Sequence, residues 1–461
     1  MTQSRSQAVA TGVLRSGRHL LTLVLAGWLT ACQSPNPLFA DQPLQTGETL
    51  KLGVIVSETG PYAAVGVPIL SALLLLRDTV NACGGVNRAP ISLVIYDNGG
   101  DRDGPAAGLR YLVNDVGVHA IVAAFKAPVE ADELAIALDK NVSLLSPTTS
   151  TTVQPQRRSS LKGWGQLSLT ETQQAQALAK LAIARQWQRA ALLVSDADHG
   201  QRFKRAFTHT FEALGGSIVV PSPSIDYSDS RSAASRTGTP STPFASSPEQ
   251  TEAAEVARLT ALIRNTDVLV ASLHDRRGYR LLKSTLQQAP GSVPVLLTHS
   301  AALPLFGESR WRRFSADEPY SLSGATGLLP GEDSDSLRSL RARLESDDAL
   351  KWGEYAPQAW DAGALIVLAA EAAGRNGRPG IQTELKHVAN PPGVAVTQVC
   401  EGLAQLRKGA MINYQGASGR VDLGSDGQLV VNARYRIWQL LESGRLRWGD
   451  SIMLKQSDLS E

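Results

Sequence analysis

Short apolar runs alternate with helical repeats along this chain, and the rhythm is played twice. LKLGVIV, Leu50 to Val56, has the length and composition of a buried strand, and Gly60-Pro61 punctuates the loop after it. VPILSALLLLRDTVNACGG then sets Ile69, Leu73, Leu76 and Val80 at helical spacing, with Gly84 as a stop. ISLVIYDN (Ile91 to Asn98), HAIVAAF (His119 to Phe125) and VSLLSP (Val142 to Pro147) read as further strands, with GPAAGLRYLVNDVG and EADELAIALDKN as the helices between them. The pattern restarts at TQQAQALAKLAIARQ and runs through RAALLVSD, FKRAFTHTFEALGG, SIVV, EVARLTALIRN, TDVLVAS, GYRLLKSTLQQA and VPVLLTH. Strands alternating with helices predict βαβ units, so the fold class is α/β, with two similar lobes built on parallel sheets. Further on, APQAWDAGALIVLAAEAAGRN is a long helical stretch, and ARYRIWQLLESGRLRW reads as strands joined at a glycine-containing turn. The rhythm breaks at Pro221 to Gln250, rich in serine and proline, which predicts a flexible surface insertion at 221–250.

The N-terminus constrains location. Leu20 to Ala31 is apolar but far shorter than the ~20 residues that cross a bilayer. Arg5, Arg15 and Arg18 precede it with no acid, the pattern of a signal peptide. Leu29-Thr30-Ala31-Cys32 resembles the bacterial lipobox, which implies cleavage before Cys32 and lipidation of its thiol; an ordinary signal peptide with a chance cysteine is the other reading. More than one acyl chain is needed for firm anchoring. The expected organisation is a signal peptide at 1–31 and a polar, proline-containing tether at 32–49. The expected location is extracytoplasmic, lipid-anchored to a membrane. No later segment reads as long and apolar enough to span one.

Loss of residues 1–31 takes three arginines and no acid, so the formal charge falls from +2 to −1. A nearly neutral chain offers no footprint for nucleic acid. With Cys32 lipidated, Cys83 and Cys400 remain of three cysteines. An even remainder in an exported protein invites a disulfide between them; two buried thiols are the alternative.

SETGPYAAVGVPILSALLLLRDTVNACGGVN followed by ISLVIYDN resembles the opening of substrate-binding proteins of the leucine/isoleucine/valine type. LLSPTTS, YAPQAWDAGALIVLAAEAA, VANPPG and INYQGASGRVDLGSDGQLVV are similar to later blocks of that family, in the same order. The resemblance covers about Leu50 to Ile452. It implies a type I periplasmic binding protein: lobe one from 50–170 plus 331–434, lobe two from 171–330 plus 435–453, three crossovers between them, and a tail at 454–461. A ligand would bind where loops after the strands of both lobes meet.

The resemblance also proposes site residues. The loop Ser146-Pro147-Thr148-Thr149-Ser150 matches a family loop that contacts ligand through the positions of Thr148 and Ser150. The preceding loop departs from the pattern, with Ala127 and Pro128 where serines are expected and Lys126 beside them. In lobe two, His199, His274 and His299 fall where the family often has two tyrosines and an acid that holds an ammonium group. Arg276 also stands at a position where the resemblance allows an acid. Three of seven histidines at such positions leave three readings open: ordinary loop residues, a pocket altered for a different ligand, or a metal site. With Lys126 and Arg276 nearby, the cleft is expected to be less acidic than an amino-acid cleft, and the ligand anionic or polar.

Nucleophile elbows, P-loops, zinc-protease helices and dinucleotide fingerprints are missing from the sequence. Asp97 and Asp101 lack the pattern of a calcium loop and read as turn residues. The expected function is capture of a small polar solute by cleft closure and its delivery to an ABC permease, without enzymatic chemistry, cofactor or metal. A sensor or scaffold that kept the fold and lost transport is the alternative.

Overall fold

The computed structural model describes residues 48–60, 62–99, 104–125, 131–148, 162–195, 198–219, 226–227, 248–273, 276–289, 293–299, 322–331, 333–430, 433–443 and 445–455. The first half of the molecule is a five-stranded parallel sheet in the order β2-β1-β3-β4-β5, made of β1 (Leu50–Val56), β2 (Ile91–Asp97), β3 (Ala120–Ala123), β4 (Ser143–Ser146) and β5 (Trp164–Gln166). In β1 the two-residue period sorts side chains onto opposite faces. Leu50, Leu52, Val54 and Val56 join one core cluster, while Ile55 joins another on the far side with Ile121, Ala123 and Leu144. Burial on both faces explains why these strands read as continuous apolar runs.

Helix α1 (Ala63–Ala82) covers the first face. It is long and apolar enough to cross a membrane by length and composition, contrary to the expectation that no later segment would be. It packs instead as a core helix, with Ile69, Leu73, Leu76 and Val80 fully buried. Helix α2 (Gly104–Arg110), extended by a wide π turn over Tyr111–Val116, and α3 (Ala131–Leu138) lie on the other face.

The second sheet has eight strands and is mixed, not purely parallel. Strands β6 (Arg189–Ser195), β7 (Ser217–Ile218), β8 (Asp226–Tyr227), β9 (Val268–Ser272), β10 (Val295–Leu297) and β11 (Thr326–Pro330) are parallel. The C-terminal hairpin β15 (Ala433–Leu440) and β16 (Leu446–Leu454) adds to β11 antiparallel. Tight hairpins can only be antiparallel, which is why the end of the chain departs from the βαβ pattern. Between these strands run α4 (Glu171–Ala184), α5 (Asp198–Ala213), α6 (Pro248–Ile263) and α7 (Arg276–Gln288), with separate core clusters on the two faces. Of the insertion expected at 221–250, Asp226–Tyr227 pairs with β6 and residues 248–250 open α6; the rest of that expectation, like those on 1–47, lies outside the described residues.

After β11 the chain returns to the first half as α8 (Asp335–Glu345), α9 (Ala356–Ala372), α10 (Arg378–Ala389), β12 (Val394–Val396), α11 (Val399–Arg407), β13 (Ile412–Gly416) and β14 (Gly419–Arg420). The last three strands form a small sheet whose Val396, Ile412 and Tyr414 belong to the first core. Helix α9 is apolar around most of its circumference and is buried accordingly from Ala359 to Ala370. Gly363 lets it approach α1, because a Cβ there would stand 2.3 Å from Leu76. Cys83, at the C-cap of α1, and Cys400, in the first turn of α11, form a disulfide with Cα atoms 5.9 Å apart.

Two crossings between the halves end in side-chain caps. Thr170 accepts from the Gln173 amide in a capping box at the start of α4, and Ser334 accepts from the Leu337 amide at the start of α8. Gly331 N–H donates to the Arg434 carbonyl at 3.0 Å, tying the second and third crossings together. A cavity of about 350 Å³ lies among these crossings, bordered by Leu167, Gly331, Gln358, Ser418 and Arg434.

Asp361, in the middle of α9, is fully buried. Its carboxylate accepts from the Tyr414 hydroxyl (2.9 Å), the Ala417 amide (2.9 Å), and the amide (2.7 Å) and hydroxyl of Ser418. Burial outweighs these four donors and pushes its pKa up to about 6. The folded state therefore holds this proton more tightly than the unfolded chain. Stability contributed by the protonated form is present at about pH 4 and is lost as pH rises through about 6, an effect of up to about 3 kcal/mol. Denaturant titrations from pH 4 to 7 should show this slope in the wild type, and Asp361→Asn should remove it. The disulfide closes a separation of 317 residues. The Cys83→Ala/Cys400→Ala double variant should lose about 2–5 kcal/mol, and added reductant should lower the wild type but not the variant.

Candidate functional site

The C-terminal ends of β1 to β4 are laced by side chains. The Ser57 hydroxyl, just past β1, donates to Asn98 Oδ1 at 2.7 Å, and both residues are buried. Asp97, at the end of β2, accepts from the amides of Glu58 (2.9 Å) and Gly99 (2.9 Å) and from the Thr59 hydroxyl (2.6 Å). Burial pushes this carboxyl up, but the Thr59 hydroxyl and the backbone donors outweigh it and hold its pKa below the usual value. Asp97 is thus a turn clamp. Among the described residues no group of three or more His, Cys, Asp or Glu side chains could hold a metal.

Thr148, past β4, is buried and donates its hydroxyl to the Phe125 carbonyl at 3.1 Å, joining the ends of β3 and β4. The Ser146 hydroxyl lies 3.3 Å from the Thr148 hydroxyl, and the Ser168 hydroxyl donates to the Pro147 carbonyl. The side chain of Thr148 is spent on holding this loop.

On the second sheet, β10, β9 and β6 are neighbours. The backbone of His199 opens α5 just past β6, that of Arg276 opens α7 just past β9, and His299 follows β10, so the three positions line one end of the sheet. Nothing is described of the side chains of His199 and Arg276. Lys126, Ala127, Ser150, His274 and Cys32 lie outside the described residues.

His299 is fully described, and it joins the two halves. Its Nδ1 lies 2.8 Å from the side-chain oxygen of Gln174 on α4. Its Nε2 lies 3.0 Å from the Tyr355 hydroxyl. The two rings meet edge to face, with centroids 6.0 Å apart. Glu354 Oε1 lies 2.8 Å from the same Nε2, and the His299 and Glu354 side chains are only 7% and 8% exposed. Glu354 and Tyr355 sit immediately before α9, in the first core. Tyr355 itself takes a left-handed backbone (φ 60°) as the N-cap of that helix, a conformation an aromatic residue adopts only where its surroundings require it. The segment is seated on α1: the Lys351 amide donates to the Ser71 hydroxyl at 3.0 Å, and Gly353 packs against Pro68.

Glu354, Tyr355 and Gln174 were not among the sequence candidates. Tyr355 falls inside a block that resembles the family, but nothing there gives it a role. Glu354 is 55 positions from His299, and only the packing of α9 against α1 brings them together.

A family model described as periplasmic binding protein matches residues 49–238. Among solved structures, a leucine-binding protein from Thermotoga maritima is 14% identical, with 89% of this chain and 100% of that one covered and a TM-score of 0.62. A branched-chain amino acid transporter substrate-binding protein from Streptococcus pneumoniae, in complex with isoleucine, is 17% identical, with 88% and 100% covered and a TM-score of 0.63. A solute-binding protein from R. palustris in complex with benzoate is 14% identical, with 89% and 99% covered and a TM-score of 0.62. The chain has the type I periplasmic binding protein fold. No curated protein sequence matches it. The His299 cluster joins the two halves described above.

Close approach of α1 to the end of β1 rests on Gly66 in the first turn of α1, where a Cβ would stand 2.0 Å from the Ser57 carbonyl oxygen. That neighbour is backbone, so the helix start would have to shift. Gly66→Ala should therefore cost about 3 kcal/mol, the upper end of overpacking effects, as read by denaturant unfolding.

Proposed function

We propose that this protein is an extracytoplasmic solute receptor of an ABC uptake system, capturing a small polar solute that bears a carboxylate, an amino acid or a related compound. The observation that carries this reading is the cluster in which His299, just past β10, and Gln174 of the second half meet Glu354 and Tyr355 of the first. Open α/β sheets bind ligands at strand C-termini. Here each lobe supplies polar groups that a closed cleft would take out of water. The family match over residues 49–238 and the fold shared with leucine-, isoleucine- and benzoate-binding proteins support the same class.

The mechanism is closure about the three crossings. The capped helix starts at Thr170 and Ser334 keep each lobe rigid up to the point where the chain crosses. Solute held by both lobes favours the closed form by its differential affinity. A membrane permease would read that form. The lipid anchor at Cys32, the tether at 32–49 and the lobe limits at 50–170 plus 331–434 and 171–330 plus 435–453 belong to this proposal. So do ligand contacts at Lys126, Ala127, Thr148, Ser150, His199, His274 and Arg276. No catalytic step is assigned.

A thermal-shift screen of the purified full chain against amino acids, aliphatic and aromatic carboxylates, amides and polyamines tests the reading. A solute at 100 times its dissociation constant should add about 2.7 kcal/mol to stability. Stabilisation by amino acids or carboxylates is expected. Failure of every class would overturn the receptor reading in favour of a scaffold.

A further inference from the structure

The cavity of about 350 Å³ takes its walls from every segment that joins the two halves. Leu167 and Leu169 belong to the first crossing, Pro330 and Gly331 to the second, Ala433 and Arg434 to the third. It shares no lining residue with the His299 cluster or with the ligand contacts proposed above. Its size falls at the lower end of small-molecule sites, which run from about 300 to 1,000 Å³. A Cβ at Gly419, in its wall, would meet no atom within 4 Å, so nothing of the fold fills that side. Two chemistries meet there. Leu167, Leu169 and Ala433 are buried and apolar. Val430 and Met453, also in the wall, are 46% and 41% exposed, two of the seven large hydrophobic side chains left so exposed among the described residues. Apolar surface gathered at a concave place and open to water marks a binding site. The two charged residues of the wall are both arginines, Arg420 on β14 and Arg434, which pairs with Met453 across the C-terminal hairpin. A terminal nitrogen of Arg420 lies 2.5 Å from Asp422 Oδ2, so one acid offsets one of the two cations and the wall stays net positive. The Arg420 side chain is 57% exposed, and a guanidinium forks into several N–H donors, so the pair with Asp422 leaves donors for a ligand.

We propose that this cavity among the crossings is a second ligand site, taking a small amphipathic anion whose apolar body lies against the leucines and Met453 and whose carboxylate meets Arg420. The site goes beyond the receptor reading and does not depend on it. Guanidinium and carboxylate match in shape and charge, and charge-assisted hydrogen bonds of this kind are the strong ones. The apolar wall selects for a solute that carries more than its charge. Because all three crossings line the cavity, its occupant touches both halves at once. The cavity has this form in the arrangement where His299 meets Glu354, so a bound anion favours that arrangement by its differential affinity. Where a solute binds between the halves, the two sites are coupled, and each ligand tightens the other by the same factor.

The test is calorimetric titration of the full chain with octanoate and with octanamide, which has the same apolar body and no charge. Octanoate should bind the wild type about tenfold more tightly than octanamide, the range of a hydrogen bond to a charged group. Arg420→Gln should erase that difference by weakening octanoate alone. Arg420→Lys keeps the charge and should keep part of the preference. Val430→Trp, which fills the rim, should weaken both compounds. A solute found in the thermal-shift screen should bind Arg420→Gln and Val430→Trp as it binds the wild type. Saturating octanoate should tighten that solute about 5-fold or more in the wild type and not in Arg420→Gln. Absence of octanoate binding, or equal binding of octanamide, would overturn the site. Undiminished octanoate binding to both Arg420→Gln and Val430→Trp would overturn it too, by showing that the anion binds elsewhere, and would leave the receptor reading standing. Unchanged or looser solute binding in octanoate would overturn the coupling. A screen that finds no solute overturns the receptor reading, and the octanoate titration still decides the second site.

Discussion

Helix α9 has to be buried on nearly every side, and much of the molecule is arranged to bury it. An apolar helix of 17 residues cannot sit on a surface. It is packed against α1 through Gly363, against α10 and α11, and against the small sheet through Asp361. Each large side chain so covered contributes about 1.5–3 kcal/mol. The disulfide fixes α11 to α1 beside it, and the four donors on Asp361 pin the β13–β14 turn to its middle.

The burial of α9 also has a consequence at its N-terminus. A rigid helix fixes the direction of the residues that enter it. Glu354 and Tyr355 are delivered to the lobe junction by that helix, and the left-handed N-cap at Tyr355 turns the chain sharply enough to do so. The two carboxylates of this region keep different company. Asp361 takes its donors from its own half and serves the fold. Glu354 pairs with a histidine of the other half, its Oε1 2.8 Å from His299 Nε2.

The sequence puts His299 where the resemblance expects an acid. In the structure an acid stands beside it all the same: Glu354, from the other half of the molecule, lies 2.8 Å from its Nε2.

Periodicity alone determined the α/β class, the strands β1 to β4, the helices between them and the restart of the pattern after Thr170, because each local segment buries a face whose spacing is written in its own residues. That His299 is a site position was an expectation from the resemblance, not from periodicity. The antiparallel hairpin on the second sheet, the pairing of β8 with β6 and the wide turn after α2 depend on neighbours, not on local pattern. So does the Cys83–Cys400 bond, for which the sequence left two readings open. The site was legible only in part: Thr148 could be named, but not that its hydroxyl is spent on the Phe125 carbonyl. Glu354 could not be named at all. A carboxylate declares its role by what surrounds it, and the neighbours of Glu354 are set by the packing of α9 on α1, which only the tertiary structure decides.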